Sequence, residues 1–137
     1  MNSFSQTVDL LHRAMNVGNL RHSVYANNLA NQGVPNFKRS EVNFESSLKK
    51  ALHSEQYRPN FLMNRSHPLH VTNWVQLDYQ DIRPRRVLDF TSTYNNNGNN
   101  VDPEAEINNI LKNQMRYTLF ASAAAFEYGQ VSLVLRA

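Results

Sequence analysis

The chain has 137 residues and a mass of 15.8 kDa, one domain's worth of sequence, and its 41% hydrophobic content with asparagine recurring from Asn2 to Asn113 is polar for a compact domain. The formal charge of +3 is concentrated before residue 59, where seven Lys/Arg face Asp9, Glu41, Glu45 and Glu55, a mild asymmetry that falls short of a dedicated nucleic-acid binder. Zero cysteines exclude a disulfide framework and thiol chemistry without fixing the compartment.

The opening, MNSFSQTVDLLHRAM, lacks the positive and apolar regions of a cleaved secretory signal, and no run approaches the length of about 18 apolar residues that a membrane span needs. Phe4, Val8, Leu11, Met15, Gly18, Tyr25 and Leu29 follow alternating steps of four and three, with His22 the polar member. This spacing predicts one helix with a coiled-coil-like stripe. ANNLANQGVPNFKRS follows, from Ala26 to Ser40. Asn27 and Asn31 stand four apart on one helical face, and Asn28 adds another amide. Gly33 is suited to end the helix near Asn31 or Gln32, and Pro35 holds Val34 extended, so the stretch reads as a joint.

A shorter helix is expected from Asn43 to Gln56, with Phe44, Leu48, Ala51 and Leu52 on one face and Asn43 as its cap. From Tyr57 to Asn100 the periodicity fails: Pro59, Pro68 and Pro84 punctuate it, YNNNGNN closes it, and His70 to Tyr79 suits a short strand or two. The last segment repeats the helical pattern through Ile110, Tyr117, Ala121, Ala124, Tyr128, Val131 and Leu135, interrupted by Gln114. Asp102 is placed to cap this helix, Pro103 fits its first turn, and Glu104 and Glu106 suit its positive end. ASAAA, Ala121 to Ala125, admits a close-packed helix, although alanine's helix propensity is reason enough for it.

The expected fold is therefore mainly α. Long N- and C-terminal helices pair as a coiled-coil-like hairpin, with a shorter helix and an irregular, partly β middle between them. The parts are an N-terminal axial helix at 1–32, an elbow and short helix at 33–57, an irregular segment with an asparagine-rich linker at 58–100, and a C-terminal axial helix at 101–137. Leu10, Ala14, Val17 and Val24 widen one apolar face, and Ile107, Leu111, Met115, Leu119 and Phe120 the other. Both faces are wider than a lone helix hides, so the ends are expected to pack on each other and on neighbouring chains.

Chemistry finds little footing. His67 and His70 in SHPLH lack the third ligand that zinc catalysis uses, and His12 and His22 lie ten residues apart on the first helix. No GxSxG turn or phosphate-binding glycine loop occurs, so no catalytic, metal or cofactor residues are assigned. IRPRRV, Ile82 to Val87, is the best nucleic-acid candidate, but Asp78, Asp81 and Asp89 flank it and local ion pairing is the expected role. The first helix carries too thin a basic face for a membrane surface.

ANNLAN followed by PNFK resembles the N-terminal signature of the flagellar rod and hook family of axial proteins. Ala26, Asn27, Asn28, Leu29, Ala30, Asn31, Pro35, Phe37 and Lys38 match it, while Val34 replaces the usual threonine. A second stretch is similar to the C-terminal pattern of a short proximal-rod member of that family: Gly98, Asn99, Val101 and Asp102 in GNNVD, then Glu106, Asn113 and Tyr117. FESSL, SHPLHV and the short chain also fit that member better than the longer distal-rod or hook proteins, another proximal-rod protein being the nearest competitor. The resemblance implies a structural subunit, exported unprocessed by the flagellar type III apparatus and polymerised helically into the rod that crosses the periplasm. Its implied partners are further copies of itself, other rod proteins and the membrane-ring adaptor at the rod base, with no nucleic acid, no cofactor and no enzymatic role. The rival class is a nucleic-acid or membrane-surface module carried by the basic N-terminal half and IRPRR.

Overall fold

The computed structural model describes residues 3–57, 64, 66–67, 69–71 and 75–136. In chain order the elements are helix α1 (Ser3–Ala30), strand β1 (Ser40–Asn43), helix α2 (Glu45–Gln56), a 3₁₀ turn (Tyr79–Asp81), strand β2 (Arg85–Leu88) and helix α3 (Pro103–Arg136). They form two compact units, one of Met1–Val42 with Arg86–Ala137 and one of Asn43–Arg85. The expected mainly helical fold, with long helices at both ends, a short one between them and a little β structure, is what the chain adopts.

The first unit is built on the α1–α3 hairpin. Asn28 meets Glu106 at one end, Gly18 meets Asn113 further along, and Phe4 meets Tyr128 edge-on at the other, so the two helices run antiparallel. On α1 the deepest residues are Val8, Val17, Gly18, Val24 and Asn28; Phe4, Leu11, Met15, Tyr25 and Leu29 are half-buried, and His22 is exposed. Val17 and Val24, which lie outside the 4-3 stripe, are buried where its His22 position is not.

On α3, Glu106, Asn113 and Ala124 are buried, Ile110, Tyr117, Ala121 and Val131 half-buried, and Gln114, Tyr128 and Leu135 exposed. Asn113 keeps a polar group inside this interface by donating to the Gly18 carbonyl at 2.8 Å. Gly18 packs beside the Tyr117 ring, which lies at ordinary contact distance, 3.5 Å, from where a Cβ would stand. The start of α3 follows its sequence signals. Asp102 Oδ1 accepts from the backbone N–H groups of Glu104 (3.0 Å) and Ala105 (3.3 Å), ahead of Pro103 and two acidic residues in the first turn.

In the second unit, Phe44, Ala51 and Tyr79 are buried, and Ser54 ties α2 to the following loop: its hydroxyl accepts from Leu77 N–H at 2.9 Å and donates to the Ala51 carbonyl at 2.7 Å. α2 begins at Glu45, with Phe44 in the cap position and no side-chain cap. Asn43 does not cap it as expected. It ends β1, and its amide oxygen instead accepts from the Ser46 hydroxyl at 2.6 Å. The β structure is also displaced. β1 and β2 form a two-stranded sheet, whereas the described residues of the segment from His70 to Tyr79 hold no strand. Two four-residue strands some 40 residues apart are made by their pairing, which local alternation does not reveal. Pro59, Pro68 and the stretch from Thr72 to Trp74 lie outside the described residues.

α3 also amends the reading of apolar length. Its best 18-residue window has a mean hydropathy of 1.2, long and apolar enough by length and composition to cross a membrane. Glu127 and Gln130 break every uninterrupted run, but alanines between large aliphatic residues keep the average high.

Candidate functional site

The joint after α1 is a hydrogen-bonded elbow in the first unit, and asparagines from both halves of the chain build it. α1 ends at Ala30 with tightened bonds, from Asn31 N–H to the carbonyls of Asn27 and Asn28 (3.2 and 3.1 Å) and from Gln32 N–H to that of Leu29 (3.2 Å). The carbonyls that follow have lost their helical donors. The fully buried Asn99 supplies them: its Nδ2 faces the carbonyl oxygens of Asn31, Gln32 and Val34 at 2.9, 3.1 and 2.8 Å. Its Oδ1 accepts from Val101 N–H at 2.7 Å. The helix end is thus capped from 68 residues away. Gly33 does not end it as expected: it has no left-handed backbone, and a Cβ there would meet nothing within 4 Å.

The left-handed positions are Asn36 (φ 59°) and Gly98 (φ 79°). Asn36 N–H donates to the Asn97 carbonyl at 3.1 Å, Lys38 Nζ to the Gly98 carbonyl at 2.7 Å, and a Cβ on Gly98 would stand 2.5 Å from Asn36 Oδ1. Gly98→Ala is therefore expected to destabilise the chain by about 2 kcal/mol, from a left-handed backbone with a side chain and a displaced Asn36. A chemical-denaturation midpoint checks it, with Gly33→Ala, at an open position of ordinary backbone, as the near-neutral comparison. Asn100 completes the loop. Its Oδ1 accepts from Arg39 N–H (2.7 Å), and its Nδ2 donates to the Asp89 carbonyl (2.7 Å) and to Ser92 Oγ (3.1 Å).

The centre of the elbow is Asn28, also fully buried. Its Nδ2 donates to the Ser40 carbonyl at 2.9 Å and its Oδ1 accepts from Ser40 N–H at 3.0 Å, so a side-chain amide pairs with β1 as a neighbouring strand would. The same Nδ2 lies 3.3 Å from Glu106 Oε2. Glu106 Oε1 receives Arg39 Nε at 3.0 Å, and the guanidinium also reaches Glu41 at 2.7 Å and Asp89 at 3.7 Å. Burial alone would lower the Arg39 pKa, but Glu41 and Glu106 outweigh it and raise it. The Asp89 carboxyl is held well below the usual range, chiefly because the Ser92 hydroxyl and the backbone N–H groups of Ser92 and Thr91 donate to it.

The expected motif residues thus separate by direction. Asn28, Asn99, Val101, Glu106 and Asn113 point inward; Lys38 and Asp102 tie loops down; Phe37 and Leu29 are half-buried; Ala26, Asn27, Ala30 and Pro35 are exposed. The Asn31 side chain turns back to the Asn27 carbonyl at 2.7 Å. Arg39, Ser40 and Asn100 are central to the elbow and were not legible as such, the only signal being their adjacency to the two motifs. Asp89, read as a partner for the IRPRRV arginines, instead joins Arg39, while Arg85 and Arg86 lie exposed on β2. Among the described residues no group of three His, Cys, Asp or Glu gathers as metal ligands; His67 and His70 pair their rings in a local turn, with centroids 5.7 Å apart.

What this arrangement can do is hold an angle: two long helices and the loops that leave them are fastened by side-chain amides and one buried carboxylate. That defines a helical-hairpin protein, with its two terminal helices locked at a polar elbow. The chain belongs to the flagellar basal body rod protein FlgB family. It is 42% identical to the protein of that name from Borreliella burgdorferi over 99% of this chain and all of the relative, and 41% identical to that from Borrelia hermsii over the same shares. The Bacillus subtilis protein of the same name is 27% identical over 98% of this chain and 97% of its own length. No protein-family model matches the chain. The consistent name decides between the proximal-rod members that the two sequence motifs left in competition.

Proposed function

We propose that this chain is a structural subunit of the proximal rod of the bacterial flagellum, polymerising through its terminal helices into part of the torque-transmitting shaft. The relatives' shared name over the full length of the chain carries this reading. The hairpin supports it: α3 leaves Ile107, Leu111, Met115, Leu119, Phe126 and Leu133 exposed along its length, a surface that a lone subunit has no means of hiding. Torque then rests on many packed helices sharing load, with no bond made or broken. Its partners on this reading are further copies of itself, other rod proteins and the membrane-ring adaptor at the rod base. Delivery through the flagellar type III apparatus without cleavage follows from the same reading.

Labelled copies of the chain, expressed in a motile cell in place of its resident subunit, are expected at the base of purified basal bodies, and a diffuse or cytoplasmic label would sink the proposal. Dilute purified chain is expected to be less helical by circular dichroism than the assembled rod, because its apolar faces lack cover for the entropy of ordering them. Equal helicity in both states would count against assembly-coupled ordering.

A further inference from the structure

We infer that Asn97–Gly98 is a self-modifying site of the elbow: in the open chain Asn97 loses its side-chain amide to water through a cyclic imide, and closure of the elbow shuts that reaction off. The site therefore separates chain that has closed its elbow from chain that waits open. Asparagine is among the chemically labile side chains, and Asn97 is the only asparagine in the sequence with glycine after it. Glycine lets the reaction run, because no Cβ screens its nitrogen from the preceding side chain.

The chemistry needs only water. The Gly98 nitrogen gives up its proton and attacks Asn97 Cγ; the new N–Cγ bond closes an imide ring, and the amide nitrogen leaves as ammonia. Water then opens the ring at either of its carbonyl carbons. Attack at Cγ breaks the new bond and leaves an ordinary aspartate. Attack at the backbone carbonyl carbon breaks the original peptide bond instead, and the chain thereafter runs through Cβ and Cγ as an isoaspartate, longer by a methylene. Either way, water is consumed and ammonia released, with no oxidant or reductant.

The closed elbow holds each reacting atom away from this path. Gly98 N–H donates to the Asn95 carbonyl at 3.2 Å, in a turn also closed by Asn95 N–H on the Asn99 carbonyl at 3.0 Å. Ring closure removes the very proton that Asn95 holds. The peptide unit that would swing into the ring is pinned on both sides, the Asn97 carbonyl by Asn36 N–H at 3.1 Å and the Gly98 carbonyl by Lys38 Nζ at 2.7 Å. The amide under attack is held too, its Oδ1 accepting from Asn99 N–H at 3.0 Å. Asn97 itself is exposed, so water reaches it in the closed elbow as in the open chain. Geometry is the gate, and an exposed group protected only by its bonds reacts as often as those bonds open.

The two products differ in what they do to the joint. Aspartate at position 97 keeps an oxygen for Asn99 N–H. Isoaspartate lengthens the backbone between the Asn36 contact and Asn99, the residue that caps α1 through the carbonyls of Asn31, Gln32 and Val34. A chain converted to isoaspartate while open is thus left without a properly placed cap.

The test uses the full-length chain at mildly alkaline pH, in native buffer with its fold checked by circular dichroism, and in concentrated guanidinium chloride. Peptide mass spectrometry follows every asparagine. In guanidinium, Asn97 is expected to convert fastest; in native buffer its conversion is expected to be at least about tenfold slower. Asn99→Ala removes the cap but keeps the Asn99 N–H, and is expected to return most of the denatured rate in native buffer. Isoaspartate and aspartate products, separated and returned to native buffer, should differ, the first unfolding at lower urea than the parent and the second beside it. Equal conversion in the two solvents, or faster conversion in the folded chain, would overturn the gate, as would a folded Asn99→Ala chain converting no faster than the parent. Another asparagine reacting ahead of Asn97 in guanidinium would overturn the site. Equal urea midpoints for the two products would sever it from the joint.

Discussion

Asn28→Ala is expected to lower the unfolding free energy by roughly 3–5 kcal/mol, whereas Asn27→Ala, one residue earlier in the same motif, stays within about 0.5 kcal/mol of the parent. Asn28 is fully buried and its amide serves both the N–H and the C=O of Ser40. Truncation strands two backbone groups where water cannot readily replace the amide, at about 1–3 kcal/mol each. Glu106 loses a donor in the same step. Asn27 is exposed, and what the Asn31 side chain meets there is its backbone carbonyl, which alanine keeps. Asn28→Asp is the more telling variant. It keeps the acceptor for Ser40 N–H but sets a second carboxylate where the amide nitrogen lay 3.3 Å from Glu106, so it should cost at least as much as alanine. For a chain of this length the Asn28 variants correspond to a fall in Tm of roughly 10–17 °C. Equal effects from Asn27 and Asn28 in thermal unfolding would refute the inward and outward division of the motif.

That division explains how far the sequence could be read. The terminal helices announce themselves by apolar period, and Asp102-Pro103 marks the start of α3 by local chemistry, because a cap and the N–H groups it serves lie within three residues. The elbow is long-range. Asn99 closes a helix that ends at Ala30, Asn28 stands in for a strand beside Ser40, and Arg39 gathers carboxylates from β1, from the loop after β2 and from α3. Asn28 reaches Ser40 across 12 residues, and Asn99 and Glu106 reach their partners across 67 or 68, so Gly33 looked like the helix stop and the Ala26–Ser40 asparagines looked alike. The same limit hid the sheet, whose strands exist only through each other. What the sequence did carry was the resemblance: matching residues at both ends of the chain, which the fold brings into contact through Asn28 and Glu106.

Glu106→Leu is expected to destabilise the chain by about 3 kcal/mol, and adding Arg39→Met should recover part of that loss instead of adding to it. Glu106 is fully buried and spends one oxygen on Arg39 and the other on Asn28. Removing it leaves the guanidinium with Glu41, a largely exposed partner, and Asp89 at 3.7 Å. A half-buried cation that has lost its one fully buried partner costs more than no cation there, since much of its desolvation stays when that partner goes. Arg39→Met removes that charge and leaves an apolar side chain of similar reach beside the new leucine. Glu106→Gln separates charge from shape: one oxygen remains for either Arg39 or Asn28, so the loss should be about 1–2 kcal/mol. Urea unfolding of the two single variants and the double variant measures the coupling. If the two single losses simply add to within about 0.5 kcal/mol, then Arg39 and Glu106 act independently, and the ion pair does not hold the elbow as a unit.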